Sequence, residues 1–134
     1  MTDIAALLAS VPYCAWLGLS ARIKDGALVL DMPFDAKLVG NPVLPALHGG
    51  VTGSLLETAA IVQILWETGA GAMPRTIDIT IDYLRTGRAH TSHARAYIVR
   101  QGRRVVSARA EMWQDDIAKP VASFRGHFLV ANSE

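Results

Sequence analysis

A single cysteine, Cys14, stands in these 134 residues. One thiol cannot close an intramolecular disulfide, and it excludes thiol-rich metal sites. Charge of one sign is equally scarce, with 13 Lys and Arg against 12 Asp and Glu for a formal net charge of +1. Nothing in that balance points to a polyanion-binding protein, so no nucleic-acid partner is expected. The N-terminus, MTDIAALLASVPYCAWLG, has no basic segment ahead of its short apolar run. It reads as a helix capped by Thr2 or Asp3 rather than a signal peptide. No uninterrupted run of roughly 20 apolar residues is present, so no membrane span is expected. Internal repeats, low-complexity tracts and linkers are missing too, so residues 1–134 are expected to form one domain, and with no signal peptide read at the N-terminus a cytoplasmic protein is expected.

What the chain does have is apolar residues, 51% against 19% charged, enough for a proper core. They concentrate in Asn41–Gly69, NPVLPALHGGVTGSLLETAAIVQILWETG. A loop punctuated by Pro42 and Pro45 leads through His48-Gly49-Gly50 into about eighteen residues free of proline. Val51, Leu55, Leu56, Ala59, Ala60, Ile61, Val62, Ile64, Leu65 and Trp66 leave hardly a polar face, which predicts a buried central helix. Glu57 is the anomaly on it. A carboxylate there must be paired, protonated or used.

Around this helix the pattern is that of strands. Asp3–Ser10 predicts a short helix stopped by Pro12. Leu17–Ile23 and Ala27–Met32 flank Asp25-Gly26, a hairpin signal because the turn needs positive φ. Gly69, Gly71 and Pro74 close the central helix. From Arg75 the period switches to two, with Ile77, Ile79, Ile81 and Tyr83 on one face and Thr76, Asp78, Thr80 and Asp82 on the other. Further strands are expected over Ala89–Arg100, Arg103–Trp113 and Val121–Val130, with a tight turn at Gln101-Gly102. The small residues Ala94, Ala96, Ala108, Ala110, Ala122 and Gly126 imply that the sheet approaches something closely. One apolar helix and about six antiparallel strands form an α+β fold in which the sheet curls round the helix. The free edge of such a sheet, and an outer face expected to carry Trp and Ile, predict an oligomer.

With these landmarks the chain resembles the hotdog-fold acyl-CoA thioesterases, in particular the PaaI-like group. The resemblance runs from about Asp31 to Val130. It rests on Asn41 before the loop, His48-Gly49-Gly50, the acid Glu57 nine residues after the His, TIDITIDYLR (Thr76–Arg85), the Gly102–Val105 hairpin and the closing SFRGHFLV. It implies a curved sheet around one long helix, an acyl-CoA substrate, and active sites shared between protomers of a dimer or dimer of dimers. It also implies roles. Glu57 would be nucleophile or general base, Gly49 or Gly50 the carbonyl-polarising amide, Asn41 an orienting group and Thr76 a hydroxyl near the attacked carbon. His48 would shape the loop beside the carbonyl. Seven positions separate Asn41 from His48, one more than usual, and the acid is Glu where many relatives have Asp.

The chemistry can be argued from the residues as well. Thioester hydrolysis needs a donor for the carbonyl oxygen and a carboxylate to attack or to activate water. Gly49 and Gly50 stand where a helix start leaves N–H groups unpaired. Glu57 lies two turns on, roughly 10 Å along the axis. Arg85, Arg103 and Arg104 occupy strand ends and a hairpin, where they are either solvated or matched to coenzyme A phosphates. His90 and His93 are three apart, which on a strand sets them on opposite faces, so no metal is expected, nor any cofactor. Two other functions compete. One is a hotdog dehydratase or hydratase, although the stretch AKLVG lacks the catalytic His such enzymes place before the loop. The other is a non-catalytic acyl-CoA-binding module, which would have no need of Glu57.

Overall fold

The computed structural model describes residues 3–69 and 72–130. Helix α1 (Ile4–Ser10) starts at Asp3, whose carboxylate accepts the Ala6 N–H at 3.0 Å. Thr2, the other expected cap, lies outside the described residues. Pro12 does more than stop α1. It opens a second short helix, α2 (Pro12–Leu17), because its fixed φ suits the first helical position, where no N–H is needed. Gly18, in the left-handed region at φ 74°, ends α2 and delays the first strand to β1 (Ser20–Lys24). The hairpin to β2 (Ala27–Met32) turns at Asp25 and Gly26, both with positive φ as the Asp-Gly signal requires.

A 3-10 turn (Ala36–Leu38) and a small antiparallel pair, β3 (Val39–Asn41) with β4 (Ala46–Leu47), fold the proline-punctuated loop. The sequence pattern predicts only a plain loop over this stretch. It delivers His48 to the start of α3 (Gly49–Thr68), 20 residues ended by Gly69 at φ 65°. Gly71 falls outside the described residues. The last four strands are β5 (Arg75–Tyr83), β6 (Ser92–Gln101), β7 (Val105–Trp113) and β8 (Ala122–Leu129). Together with β1 and β2 they form one six-stranded antiparallel sheet ordered β1-β2-β6-β7-β8-β5. This is the α+β, hotdog arrangement that the resemblance implied.

Helix α3 packs on β2, β6, β7 and β8. Ala94, Ala96, Ala108, Ala110, Ala122 and Gly126 are all buried there, so the sheet closes on the helix with little side chain between. Larger neighbours fill the layer: Ala94 pairs with Met112, Ala110 with Phe124 and Val106 with Phe128. The helix is not buried all round. Ser54, Glu57, Thr58 and Ile61 form a half-buried stripe, because edge strand β5 stands off and is exposed along most of its length. Among the described residues no helix is long and apolar enough to cross a membrane.

Two expectations change. Strand β5 carries a bulge between Thr76 and Asp78 against β8. Thr76 lies opposite Phe128, while Ile79, Ile81 and Tyr83 lie opposite Gly126, Phe124 and Ala122, all helix-facing. Cross-strand partners share a face. Strict alternation puts Thr76 on the outer face, and one extra residue moves it to the inner one. The outer face is not Trp- and Ile-rich either. Tyr97, Arg109, Arg125 and Thr80 run across it in one row, and its tryptophan, Trp113, is buried beside the His93 ring, centroids 5.8 Å apart. Of the exposed isoleucines, Ile77 and Ile79 lie on edge strand β5, Ile23 on the opposite edge strand β1, and Ile117 in the connection before β8.

Candidate active site

The first turn of α3 is fixed by three residues. His48 is its N-cap, in extended backbone at φ −65° and ψ 134°. Its Nδ1 accepts the Gly50 N–H at 2.9 Å, which requires that nitrogen to be unprotonated. From the other side Tyr83 of β5 donates its hydroxyl to the Gly49 carbonyl at 2.8 Å. The Gly49 carbonyl and the Gly50 N–H belong to one peptide unit, so that unit is clamped at both ends. Gly40 of β3 completes the support. A Cβ there would meet the His48 Cα at 2.7 Å, so only glycine lets the loop lie this close to the cap.

This arrangement separates the two glycine amides. The Gly50 N–H is already bonded to His48. The Gly49 N–H has no hydrogen-bond partner among the described residues, and it sits at the positive end of a 20-residue helix. Glycines at 49 and 53 also keep the surface low: a Cβ at 49 would stand 3.4 Å from the Tyr83 hydroxyl, and one at 53 would stand 2.9 Å from Ile81 Cδ1.

Glu57 lies two turns further on, in the half-buried stripe. The Thr76 hydroxyl donates to its Oε2 at 2.7 Å. The carboxylate is thus not deeply buried, and among the described residues it has no ion-pair partner and no hydrogen bond to its other oxygen. Without the bulge in β5 this contact would not form. Eight residue steps along the helix take Gly49 to Glu57, about 12 Å of rise. The structure joins Glu57 with Thr76, and His48 with Gly49 and Gly50, but does not bring the two groups together in one chain.

The remaining expected residues fall elsewhere. Asn41 is exposed, and its Oδ1 accepts the Val43 N–H at 3.0 Å, so it shapes its own loop. Arg85 donates to the Pro120 carbonyl at 2.6 Å beside a cleft of about 490 Å³ that Arg88 and Lys119 also line. Arg103 and Arg104 line another cleft of about 540 Å³ with Arg100, Ser107 and His127. The Arg85 N–H reaches Val121, at one end of β8, whereas the Val130 N–H reaches Arg104 at the other. About 27 Å of strand lies between them, so one chain does not gather these arginines around one ligand. His90 and His93 diverge, the first 3.4 Å from Asp115 and the second 2.6 Å from Asp31. Cys14 is free and buried; burial pushes its thiol pKa up, and a hydrogen bond with Thr58 of α3 offsets part of that. Tyr83 and Gly40 were missed in the sequence, although Tyr83 stands within the quoted IDYLR.

The thioesterase superfamily profile matches residues 44–121, more than half of the chain and a span that holds His48, Glu57, Thr76 and Arg85. A medium/long-chain acyl-CoA thioesterase of Salmonella typhimurium, YigI, is 32% identical over 131 residues, covering 85% of this chain and 84% of its own. Among solved structures, a Bacillus halodurans protein crystallised with CoA superposes with a TM-score of 0.82 at 25% identity, over 98% of this chain and 89% of the other. A phenylacetic acid degradation-related protein of Ralstonia eutropha superposes with a TM-score of 0.81 at 25% identity, over 96% and 100%. With the central helix, its glycine-bearing N-terminus and its carboxylate in view, the chain belongs to the thioesterase superfamily, among the hotdog-fold acyl-CoA thioesterases.

Proposed function

We propose that this chain hydrolyses an acyl- or aryl-CoA thioester to the free acid and coenzyme A, with Glu57 as nucleophile or general base. One observation carries this reading: a half-buried carboxylate on the central helix, steadied through one oxygen by the Thr76 hydroxyl at 2.7 Å. As nucleophile it would attack the thioester carbon, expel the coenzyme A thiolate and form an anhydride that water then opens. As base it would take a proton from the water that attacks. In both cases negative charge grows on the carbonyl oxygen, and the unpaired Gly49 N–H at the helix start is the group suited to receive it. The Gly50 amide would serve only if His48 released it, so His48 supports the site by holding the turn.

The 12 Å of helix between Glu57 and Gly49 is too long for one thioester to bridge. Edge strand β5 lies open and carries Thr76 and Tyr83, one from each half of the site. Pairing this edge with that of a second copy would bring Glu57 of one protomer toward Gly49 of the other, so the working form is a dimer or a dimer of dimers. Coenzyme A phosphates would be met by arginines of different chains, Arg85 from one and Arg103 with Arg104 from the other. Asn41 and Thr76 would border the carbonyl. The relatives' names, one for medium and long acyl chains and one for phenylacetic acid degradation, support both acyl and aryl substrates.

The test is release of free thiol from a panel of short, medium, long and aryl acyl-CoAs by the native protein and by Glu57→Gln. The Gln variant should lose at least about 10²-fold in kcat, the scale of a positioned base, while its Tm holds. Full activity in Glu57→Gln overturns the role. In a single turnover in ¹⁸O-water, label in Glu57 would mark it as the nucleophile, with water opening the anhydride at the Glu57 carbonyl, whereas label in the acid product alone fits a general base or opening at the acyl carbon.

A further inference from the structure

The His48 cap hangs on a strand pair with little support of its own. Strand β4 is two residues long and is followed directly by His48, and its companion β3 has three residues. Further support for β4 comes from the connection between β5 and β6, residues 84–91. Ala46 bridges to Arg88, and the Leu47 N–H donates to the Gly87 carbonyl at 2.9 Å. The contact is close, since a Cβ at Gly87 would stand 3.4 Å from the Leu47 side chain. What holds this connection in turn is Gln114, the residue after β7. Its Oε1 accepts the Arg88 N–H at 3.0 Å, and its Nε2 donates to the Arg88 carbonyl at 3.0 Å, as a neighbouring strand would. We infer that Gln114 is a positioning residue of the site, acting through Arg88 and β4 to set the His48 cap. The inference rests on the thioesterase reading above and adds to it a residue outside both halves of the site.

Three observations carry it. The first is the chemistry of the group. A side-chain amide offers a donor and an acceptor on one plane, so it can take both the N–H and the carbonyl of Arg88. Its Nε2 also donates to the hydroxyl of the fully buried Ser92 at 3.2 Å, which ties the amide to β6 as well as to the exposed connection. The second is the route. From Arg88 the contacts pass to Ala46 and Leu47, then along the chain to His48, whose Nδ1 holds the Gly50 N–H at 2.9 Å. Until the His48 ring these links are backbone, so a shift at Arg88 reaches the cap instead of being absorbed by a flexible side chain. The third is the separate anchor of the other arm. Tyr83 precedes the same connection, and there the Leu84 and Arg85 N–H groups both donate to the Val121 carbonyl, at 2.8 and 3.1 Å. Loss of Gln114 therefore loosens the His48 arm of the clamp and leaves the Tyr83 arm in place.

The experiment compares the native protein with Gln114→Met, which keeps the length of the side chain and removes both hydrogen bonds to Arg88. Thiol release is measured on the best acyl-CoA of the panel above. Amide hydrogen exchange, resolved by mass spectrometry, is followed at Leu47 and Gly50, with β1 and β2 as the reference. In the variant the Leu47 and Gly50 amides should exchange at least about tenfold faster, while β1 and β2 keep their native rates. The kcat should fall by about three- to tenfold with KM changing less than about twofold, the scale of one hydrogen bond made to the reacting group. Gln114→Glu keeps an acceptor for the Arg88 N–H and loses the donor, so it carries the same test if the Met variant does not fold. Native exchange at Gly50, a rise in KM alone, or native kcat despite faster exchange would overturn the inference. So would an equal loss of protection in β1 and β2, which marks general destabilisation. Exchange needs no turnover, and this separates the inference from the parent reading. Faster exchange confined to Leu47 and Gly50 sustains the link from Gln114 to the cap even if the native protein releases no thiol. Unaltered exchange refutes it even if thioesterase activity is confirmed.

Discussion

A peptide unit held from both sides is a better-defined object than a helix end in water, and the Gly49–Gly50 unit is held by His48 and Tyr83. Tyr83→Phe removes only the hydroxyl at an exposed position, so Tm should hardly move. If the clamp orients the adjacent Gly49 N–H for the carbonyl, kcat should fall by about three- to tenfold with KM little changed, the scale of one hydrogen bond. A rise in KM alone would show that Tyr83 touches substrate instead. Thr76 offers a parallel case. Thr76→Val leaves Glu57 without its donor and should lower kcat by about tenfold, while Thr76→Ser, which keeps the hydroxyl, should restore most of it. Steady-state kinetics of the pair give the answer, and equal activity in both would separate Thr76 from the reaction.

Among the elements, the sheet interior shows how little room there is. A Cβ at Gly126 of β8 would stand 2.9 and 3.0 Å from the Phe124 ring and 3.0 Å from that of Phe128, both fully buried. Gly126→Ala should therefore cost roughly 1–3 kcal/mol, seen as a lower midpoint in urea. Strands β1, β2 and β6 are tied by Asp31, which accepts from Arg22 Nε at 2.7 Å and lies 2.6 Å from His93 Nδ1. Burial raises the Asp31 pKa, but the hydrogen bonds from Arg22 and His93 outweigh it and hold the carboxyl below the ordinary range. A depressed folded pKa stabilises above the unfolded value, about 3.9, and the contribution fades as pH falls through the folded value. Asp31→Asn should be less stable than the native protein by about 1 kcal/mol at neutral pH, a modest figure because the pair is partly exposed. The gap should close as pH falls through and below the ordinary carboxylate range. Parallel urea melts across that range check it, and a gap independent of pH would assign the loss to shape rather than charge.

For the molecule as a whole, the open edge is the feature that most constrains behaviour. Among the described residues strand β5 pairs only with β8, and Ile77 on it is 53% exposed. The proposed second copy of the chain would cover this apolar edge, which lies beside both halves of the proposed site. Sedimentation at micromolar concentration should show a dimer or larger. Ile77→Lys should shift it toward monomer and abolish turnover together, because neither half of the site acts alone. A fully active monomer would refute both the assembly and the shared site.

Much of this protein was written locally. Asp25-Gly26 forces its turn through positive φ, the apolar run from Val51 to Trp66 forces a central helix, and runs of alternating residues force strands around it. The His48–Glu57 spacing marked where to look. What the sequence left open depended on pairing between distant segments. The bulge in β5 exists only relative to β8, and it decides that Thr76 meets Glu57 instead of solvent. Which glycine amide stays unpaired was settled by how the β3–β4 pair delivers the His48 ring and how β5 delivers the Tyr83 hydroxyl. The opposite placements of Arg85 and Arg104 likewise follow from the antiparallel run of β8 between them. Periodicity reports which side of its own element a residue faces, whereas register and approach are properties of two elements at once, and only their packing fixes them.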